Sequence, residues 1–420
     1  MLTGGPLPLK EAERPTIIRV VQTGVEAGQR GQQPLRVGID LTALLPNPTG
    51  VDTYLERLVG ALATTDPRTR YTVFANAEDR RWLAEALPDN FEVLGRCLRP
   101  RPVRLLFQQL LLPAWSITRR LDVLHSPSFI MPMVRSRPRH LLTVYDMTFF
   151  SHPACHEKLR RSAPYRRAIV LSLRRADMVT VPSESAAGEV MHYVPEVPRA
   201  RLRVVPPGIG EEFRPAIRTE VDRVRARLGL DRPYLLYLGT IEPRKNLVRL
   251  VEAFSALAAN GQLDEDLVLA GKLGWGYEPV LEAIRRSGCG SRIRRLGYVD
   301  RADLPALLSG ARLFVYPSLA EGFGFPPLEA MACGVPTIAA RSTSLAENLE
   351  GAAELVPTDD ASALAAAILR LLRDPDLCSA LRERGIERAA RFRWQITAAL
   401  TAECYRALGR GMTRAPDAVE

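Results

Sequence analysis

Two glutamates and two adjacent cations follow apolar runs in the second half of the chain. Glu321 and Glu329 bound the segment Glu-Gly-Phe-Gly-Phe-Pro-Pro-Leu-Glu, and Arg244 and Lys245 belong to the segment Gly-Thr-Ile-Glu-Pro-Arg-Lys-Asn. A carboxylate can accept two sugar or ribose hydroxyls at once, and adjacent cations can hold phosphate. These residue types predict a site for a molecule that carries both hydroxyls and phosphates.

The segment between the glutamates predicts a short helix that begins at its proline pair. Glu321 then lies in the preceding loop and Glu329 just inside the helix. The backbone amides of Gly322, Phe323 and Gly324 collect at the helix start, where unsatisfied N–H groups and the dipole favour hydroxyls or phosphate. The alternative interpretation is that both acids merely stabilise the helix start.

The cation pair precedes a predicted helix over Leu247–Ala259, for which Asn246 is the predicted N-cap. Positive charges at a helix start oppose the helix dipole, so Arg244 and Lys245 cost stability there unless an anion is bound. A leaving diphosphate is such an anion. Two solvated surface cations are the alternative interpretation.

Two further loops in the second half carry weaker signals. Tyr298 and Val299 follow a predicted strand, where their backbone groups could contact a nucleotide base or form a plain turn. Lys272 also follows a predicted strand, and it is either functional or a solvated loop lysine.

The first half contains a glycine loop and a strand that ends in an acid. Gly50 belongs to the loop Pro-Asn-Pro-Thr-Gly, and Tyr145-Asp146 end a predicted strand. His152 and His156 are four residues apart, but a proline separates them and no His-Glu-x-x-His pattern is present, so no metal site is predicted there.

The elements that must position these residues alternate between strands and helices. The strands predicted in the first half are 35–41, 71–75, 123–125, 141–145, 178–181 and 203–205. The strands predicted in the second half are 234–238, 267–270, 293–296, 313–316, 337–339 and 354–356. This alternation predicts an α/β fold with parallel sheets, whose ligands bind in the loops beyond the carboxyl ends of the strands.

The length of 420 residues exceeds what a single core usually supports, so two domains are predicted. Residues 1–34 are rich in Gly, Pro and Gln and predict a disordered extension, not a secretion signal. A Pro/Gly-rich break at 206–215 predicts a first domain over 35–213 and a second over 214–392. A helical tail over 393–420 follows.

Composition limits the partners and the compartment. The net charge of +10 fits nucleic acid, lipid headgroups or a nucleotide diphosphate, and no nucleic-acid-binding module is recognisable. Six scattered cysteines predict a reduced, cytoplasmic setting. The longest apolar stretch, Leu105–Ile117, is too short and too polar to span a bilayer. The overlapping stretch Arg99–Leu112 predicts either peripheral contact with the inner face of a membrane or a core helix with a basic start.

Together these motifs resemble the retaining group 1 glycosyltransferases of GT-B fold, which include bacterial mannosyltransferases. The likeness runs from about Leu35 to Phe392 and also rests on Val-Pro-Pro-Gly208 and Val181-Pro-Ser-Glu-Ser. It implies two Rossmann-like domains facing across a cleft, with a C-terminal helix that crosses back to the first domain.

The resemblance implies that the residues above hold a nucleotide-sugar donor. The implied roles are Glu321 on the sugar hydroxyls with the amides of Gly322, Phe323 and Gly324, Glu329 on the ribose, Lys245 with Arg244 on the leaving diphosphate, and Gly50 on the same phosphates.

The sequence departs from the family at two positions. Many relatives have an arginine where this chain has Thr240, so Arg244 would supply the second charge at the phosphates. Many also have a histidine where this chain has Tyr145, which weakens the implied contact of Tyr145 and Asp146 with the sugar or the acceptor.

The reaction implied is transfer of a hexose to a hydroxyl of a glycan or a lipid-linked acceptor, with front-face attack, retention, and neither a metal nor a further cofactor. GDP-mannose is the favoured donor, ahead of UDP-glucose and dTDP-sugars. A double displacement with Glu321 as nucleophile is the mechanistic rival. A GT-B enzyme that acts without an alcohol acceptor, or more remotely a nucleic-acid-binding protein, are the functional alternatives.

Overall fold

The chain is built on two parallel β-sheets. The computed structural model describes residues 33–44, 50–98, 101–134, 136–156 and 163–411. Seven strands form the first sheet and six form the second, and every strand pair within them is parallel. We refer to the parts built on these sheets as the first and the second domain.

Each sheet is built from strands that are consecutive along the chain. The first sheet contains β1 Arg36–Asp40, β2 Arg70–Asn76, β3 Phe91–Arg96, β4 Val123–Ser126, β5 Arg139–Thr143, β6 Met178–Val181 and β7 Leu202–Val204. The second contains β8 Tyr234–Leu238, β9 Asp266–Ala270, β10 Ile293–Gly297, β11 Leu313–Tyr316, β12 Thr337–Ala340 and β13 Glu354–Val356.

Helices connect nearly all of the strands and cover the sheets. They are α1 Gly50–Thr65, α2 Ala77–Ala86, α3 Arg101–Leu106, α4 Leu112–Thr118, α5 Thr148–Ser151, α6 Ala163–Arg175, α7 Glu184–Tyr193, α8 Arg218–Leu228, α9 Leu247–Ala259, α10 Glu278–Arg286, α11 Leu304–Ser309, α12 Phe325–Ala332, α13 Thr343–Leu349, α14 Ala361–Arg373, α15 Pro375–Ala389 and α16 Trp394–Gly409. Among the helices of the described residues, none is both long and apolar enough to span a bilayer.

Burial on both faces explains why the central strands are almost wholly apolar. All four residues of β11 are buried, as are the first four of β8, and the helices on either side supply the covering side chains. A sheet covered on both faces requires continuous apolar runs, whereas a half-exposed sheet allows alternation. The same apolar runs make these strands readable in the sequence.

The order of the strands reverses in the middle of each sheet, at a topological switch point. Their orders are β3-β2-β1-β4-β5-β6-β7 and β10-β9-β8-β11-β12-β13. The chain therefore leaves β8 and β11 toward opposite sides of the second sheet, and a crevice opens beyond their carboxyl ends. Ligands of open α/β sheets bind at this point.

The last helix belongs to the first domain. The side chains of Trp394, Ala398 and Tyr405 are buried in the core of the first sheet. Tyr405 Oη lies 2.8 Å from His125 Nδ1, and His125 Nε2 lies 2.7 Å from Thr143 Oγ1, so a buried polar chain joins α16 to β4 and β5. The predicted α/β fold with a C-terminal helix that crosses back is confirmed.

The sequence predicted twelve of the thirteen strands and missed β3. The predicted boundaries at 35–213, 214–392 and 393–420 stay predictions, although the Pro/Gly-rich break does lie between the two sheets. Residues 1–32 of the predicted extension are outside the described residues.

Candidate active site

The loops after β8 and β11 form the centre of the candidate site. The two strands pair in parallel, with Leu235 opposite Leu313, so both loops leave the same edge of the sheet. Leu319 N donates to Arg244 O at 2.9 Å and thereby ties one loop to the other. The cations of the first loop and Glu321 of the second are brought together in this way.

Glu321 accepts four side-chain hydrogen bonds. Lys245 Nζ and Ser318 Oγ each donate to Glu321 Oε1 at 2.6 Å. Tyr316 Oη donates to the same oxygen at 3.0 Å, and Arg244 Nη1 donates to Oε2 at 2.8 Å. Oε1 is fully engaged, whereas Oε2 keeps the capacity to accept a ligand hydroxyl.

Burial and charge act against each other in this cluster. Burial raises the pKa of Glu321, but the charges of Arg244 and Lys245 outweigh it and lower that pKa to about 2. Burial and the adjacent Arg244 lower the pKa of Lys245, although Glu321 opposes this. Glu321 is therefore an anion at neutral pH, and its negative charge is compensated by buried cations.

Arg244 is bound to a second carboxylate. Its Nη2 donates to Glu242 Oε1 at 3.0 Å, and its Nη1 also donates to Ala320 O at 2.6 Å. Burial lowers the pKa of Arg244, but Glu321 and Glu242 outweigh it and raise that pKa well above its ordinary value. The formal charges of Arg244, Lys245, Glu242 and Glu321 sum to zero, so the cluster is balanced before any ligand binds.

This charge balance changes the expectation that Arg244 and Lys245 destabilise the start of α9 unless an anion is bound. Arg244 and Lys245 lie on the 3-10 turn Pro243–Lys245, where two carboxylates compensate them. Asn246 occupies the predicted N-cap position of α9, but its side chain does not cap the helix. Asn246 adopts left-handed backbone geometry at φ 56°, and its amide donates to the carbonyls of Pro317 and Thr358. The side chain therefore joins the loops.

The glycine loop before α12 presents backbone amides. Gly324, at φ 89°, occupies the N-cap position of α12, and the prolines fill its first turn as predicted. Asn348 Nδ2 donates to Phe323 O at 2.8 Å and holds the loop from the side of α13. The amides of Gly322, Phe323 and Gly324 have no acceptor among the described residues, so they can donate to a ligand.

The first domain contacts this loop directly. A Cβ on Gly322 would lie 1.8 Å from Tyr145 O, a distance that excludes any side chain. Ser183 Oγ, at the start of α7, donates to Gly322 O at 3.0 Å. The structure thus brings the backbone of Tyr145 to the loop, whereas its hydroxyl donates to Pro127 O within the first domain.

Acidic and aromatic groups of the first domain lie around Arg244. The charge of Asp146 contributes to the raised pKa of Arg244. Burial lowers the pKa of His152, and Arg244 adds to this effect. Trp275 Nε1, from the loop after β9, donates to Cys155 O at 2.9 Å. The segment after β5 therefore forms the opposite wall of the cleft.

Glu329 lies in a second cluster. Arg57 Nη2 and Arg301 Nε donate to Glu212 Oε1 at 2.5 and 3.0 Å, and so join α1, the Pro/Gly-rich break 206–215 and the second domain. Burial raises the pKa of Glu329 to about 7, against the opposing charges of Arg301 and Arg57. Its carboxylate is available to a ligand, because it accepts no hydrogen bond from the described residues.

Comparison with known proteins identifies the family. A family model described as Glycosyl transferases group 1 matches residues 219–388, and one described as Glycosyltransferase Family 4 matches residues 48–213. O-antigen chain mannosyltransferase B from Escherichia coli is 32% identical over 316 residues, 74% of this chain and 82% of that protein. The chain belongs to the group 1 glycosyltransferases.

Solved structures confirm the GT-B fold of this glycosyltransferase. Sucrose-phosphate synthase from Thermosynechococcus elongatus superposes with a TM-score of 0.72 at 23% identity over 90% of this chain and 100% of that one. HepE from Anabaena in complex with UDP and glucose gives a TM-score of 0.70 at 19% identity over 89% and 100%.

The remaining candidate residues of the glycosyltransferase lie in the loops after β8, β9 and β10 and at the start of α1. Lys272 Nζ lies 5.5 Å from the ring centre of Tyr298, which is 61% exposed, so the loops after β9 and β10 meet. Val299 is buried beside it. Thr240 packs against the loop after β9, because a Cβ on Gly274 would lie 2.7 Å from its methyl group.

Gly50 begins α1 in the first domain, and the preceding loop residues 45–49 are outside the described residues. One turn later, the ring of Tyr54 lies 5.1 Å from that of Tyr145, so the start of α1 is close to the wall of the cleft.

Sequence reasoning missed several partners of the site. Tyr316, Ser318 and Glu242 bind the charged cluster, and Thr343 Oγ1 accepts from Glu321 N at 2.8 Å. Their common signal is position, since each of them follows or ends a strand at the same edge of the sheet. Among the described residues, no group of three or more His, Cys, Asp or Glu side chains could hold a metal ion.

Proposed function

We propose that this glycosyltransferase moves mannose from GDP-mannose to a hydroxyl of a glycan or a lipid-linked acceptor, with retention and without a bound metal. The observation that carries the proposal is the Lys245–Glu321–Arg244 cluster at the switch point, beside three free amides. Its sugar-binding carboxylate and its cations lie together, as transfer from a sugar diphosphate requires.

The mannosyl group is supported by the E. coli relative. O-antigen chain mannosyltransferase B matches along most of its own length, and its name supports a polysaccharide or its lipid-linked precursor as acceptor. HepE, a more distant neighbour, binds UDP and glucose. The donor base and sugar therefore have to be tested side by side.

Departure of the nucleotide diphosphate from the sugar needs positive charge near its phosphates. Cleavage of an anomeric C–O bond passes through an oxocarbenium-like state while negative charge accumulates on the leaving group. Lys245 Nζ has three N–H donors, of which two are used, and Arg244 Nε makes no hydrogen bond to the described residues. These free donors can bind the leaving oxygens.

The amides before α12 share this work. Because Glu242 and Glu321 offset both cations, and Thr240 brings no further charge, the unpaired N–H groups of Gly322, Phe323 and Gly324 become a main source of positive potential. Preorganised dipoles of this kind stabilise developing charge without reorganisation during the reaction.

Front-face attack fits Glu321 better than double displacement. A carboxylate with a pKa of about 2 that accepts four hydrogen bonds is a weak nucleophile. Its free lone pairs on Oε2 suit a sugar hydroxyl instead. The leaving phosphate then takes the proton of the attacking hydroxyl.

The test is glycosyl transfer by the full chain with GDP-mannose, UDP-glucose and a dTDP-sugar, each with and without a mannan acceptor. We expect acceptor-dependent turnover of GDP-mannose with an α-linked product. Lys245→Ala should lower kcat at least about hundredfold, as loss of one transition-state donor does.

Arg249→Ala is the matched control, because Arg249 is an exposed cation that pairs with Glu252 of its own helix. Near-normal turnover by a folded Lys245→Ala variant would refute the assigned site. Donor consumption that needs no acceptor would favour a GT-B enzyme of another reaction type, and a glycosyl group trapped on Glu321 would establish double displacement.

A further inference from the structure

One face of the first domain exposes apolar side chains along a continuous run of helix. The α3 helix, the π-helical turn Phe107–Leu111 and α4 follow one another without a break. Phe107 and Leu112 pack into the core, whereas the opposite side is open to solvent. The apolar side chains exposed there are Val103, Leu105, Leu106, Leu110, Leu111 and Ile117.

The open side continues onto α6. Gln109 Nε2 donates to Met131 O at 3.2 Å, and Arg175 Nη1 donates to Met133 O at 2.6 Å, so residues 131–134 bridge the two helical segments. Val134 on the bridge is 49% exposed and Leu171 on α6 is 41% exposed. We call this surface, made of 101–118, 131–134 and α6, the basic apolar face.

The basic apolar face concentrates the exposed apolar groups of the described residues. Among the described residues, thirteen large hydrophobic side chains are exposed, and eight of them lie on the basic apolar face. The other five are dispersed over the second domain and α16. Single exposed apolar residues are ordinary, but a contiguous patch marks an interaction surface.

The same face is cationic. Neither 101–118 nor 163–175 contains an aspartate or a glutamate. A cavity of about 390 Å³ beside α6 is lined by Arg166, Arg167 and Arg174, with Phe150, Val170 and Leu171 as apolar neighbours. Arg174 pairs with Glu196, whereas Arg166 and Arg167 have no carboxylate partner among the described residues.

We propose that the basic apolar face docks onto an anionic lipid bilayer. Leucines beside arginines suit the boundary between acyl chains and headgroups, because the apolar groups enter the bilayer while the guanidinium groups pair with lipid phosphates. The arginines disfavour a second copy of the chain as the occupant, since symmetric pairing would bring like charges together.

Docking places the cleft at the bilayer surface. Phe150, which lines the cavity, belongs to α5, and α5 begins two residues after Asp146 in the wall of the cleft. A lipid-linked acceptor could then reach the donor without leaving the membrane. The docking itself needs no donor, so it can hold or fail independently of the proposed transfer.

The test is co-sedimentation of the full chain with vesicles of phosphatidylglycerol and phosphatidylcholine, and with vesicles of phosphatidylcholine alone. We expect binding to the anionic vesicles that weakens as salt is added. Arg166→Gln with Arg167→Gln should weaken partitioning about thirtyfold. Leu106→Gln with Leu110→Gln should weaken it about tenfold or more at unchanged charge.

Ile217→Gln and Arg223→Gln are the matched controls, because both residues are exposed on the second domain. They should bind vesicles as the unaltered chain does, and thermal unfolding checks that every variant is folded. The proposal is overturned if the unaltered chain ignores anionic vesicles, or if the double variants bind as tightly as it does. It is also overturned if the leucine pair controls only self-association, measured by analytical ultracentrifugation.

Discussion

Glu321 and Lys245 are held in a geometry that is costly to build and useful for transfer. Burying charges is unfavourable unless they are paired and hydrogen-bonded, and removal of one partner usually costs more than the pair contributes. Here Ser318 and Tyr316 complete the hydrogen bonds of the pair, so its position is fixed before a donor arrives. The proposed nucleotide-sugar donor would then meet hydrogen-bond donors and acceptors that need little rearrangement.

Glu329 is the residue whose protonation should control donor binding. Burial raises its pKa from the ordinary range to about 7, so the carboxyl is half protonated near neutral pH. In the proposed role on the ribose, the carboxylate accepts one hydroxyl on each oxygen, whereas the protonated carboxyl has an O–H that must donate instead. We expect the KM for the donor to rise about tenfold between pH 8 and pH 6, as a single group of this pKa dictates.

Steady-state kinetics over pH 6–8 with the unaltered chain and Glu329→Gln checks this. The variant should have a raised KM that no longer changes with pH, because its amide does not titrate.

Protonation of Glu329 has the opposite effect on the stability of the folded state. The protonated carboxyl is favoured in the folded state, so its contribution to stability is complete below about pH 4.5 and is lost as pH rises through about 7. A slope of KM that survives in Glu329→Gln would assign it to another group.

At the scale of elements, the loop before α12 is fitted against the strand end that carries Tyr145. A Cβ on Gly322 would lie 1.8 Å from Tyr145 O, so Gly322→Ala must push the loop and the first domain apart. We expect kcat/KM to fall at least about tenfold, because a small misplacement of positioned groups is expensive in catalysis. Circular dichroism should remain unchanged.

Gly188→Ala provides the control for this substitution. Gly188 lies inside α7 and a Cβ there would meet nothing within 4 Å, so alanine should preserve activity and favour the helix slightly. Equal kcat/KM values for the two variants would mean that the contact between Gly322 and Tyr145 has no part in transfer.

The elements were readable in the sequence where burial dictates composition. Strands such as β8 and β11 are apolar because both faces are covered, whereas β3 alternates and lies at the edge of its sheet, and it was missed. The prolines before Glu329 correctly marked the start of α12. Local pattern thus sufficed for most of the fold.

The site was only partly readable, because its partners are distant in sequence. The sequence alone leaves Arg244 and Lys245 without a partner anion, but Glu321, 76 residues from Lys245, binds Lys245 directly. Asn246 stands at the predicted N-cap position, but its side-chain amide binds the distant carbonyls of Pro317 and Thr358. Such contacts follow from strand order, which no single segment reveals.

At the scale of the whole molecule, the two domains are joined across the cleft by a carboxylate at a helix start. Glu347 Oε1 accepts from Glu184 N at 3.0 Å, and its Oε2 accepts from Ser185 N at 2.9 Å. Glu347 lies on α13 of the second domain, and the two amides begin α7 of the first. An anion at the positive end of a helix is favoured by free N–H groups and by the dipole.

Glu347→Ala should therefore shift the glycosyltransferase toward a more open arrangement. The lost contact is solvent-exposed, so we expect the free energy of unfolding to change by about 1 kcal/mol or less. We expect the radius of gyration from small-angle scattering to increase and the KM for the donor to rise several-fold, because closure then has to be driven by the donor. Saturating donor should restore the compact form.

Glu252→Ala is the matched control, since Glu252 accepts from Arg249 within its own helix. Identical scattering by Glu347→Ala and the unaltered chain without donor would show that the remaining contacts, including that of Ser183 with Gly322, hold the domains together without it.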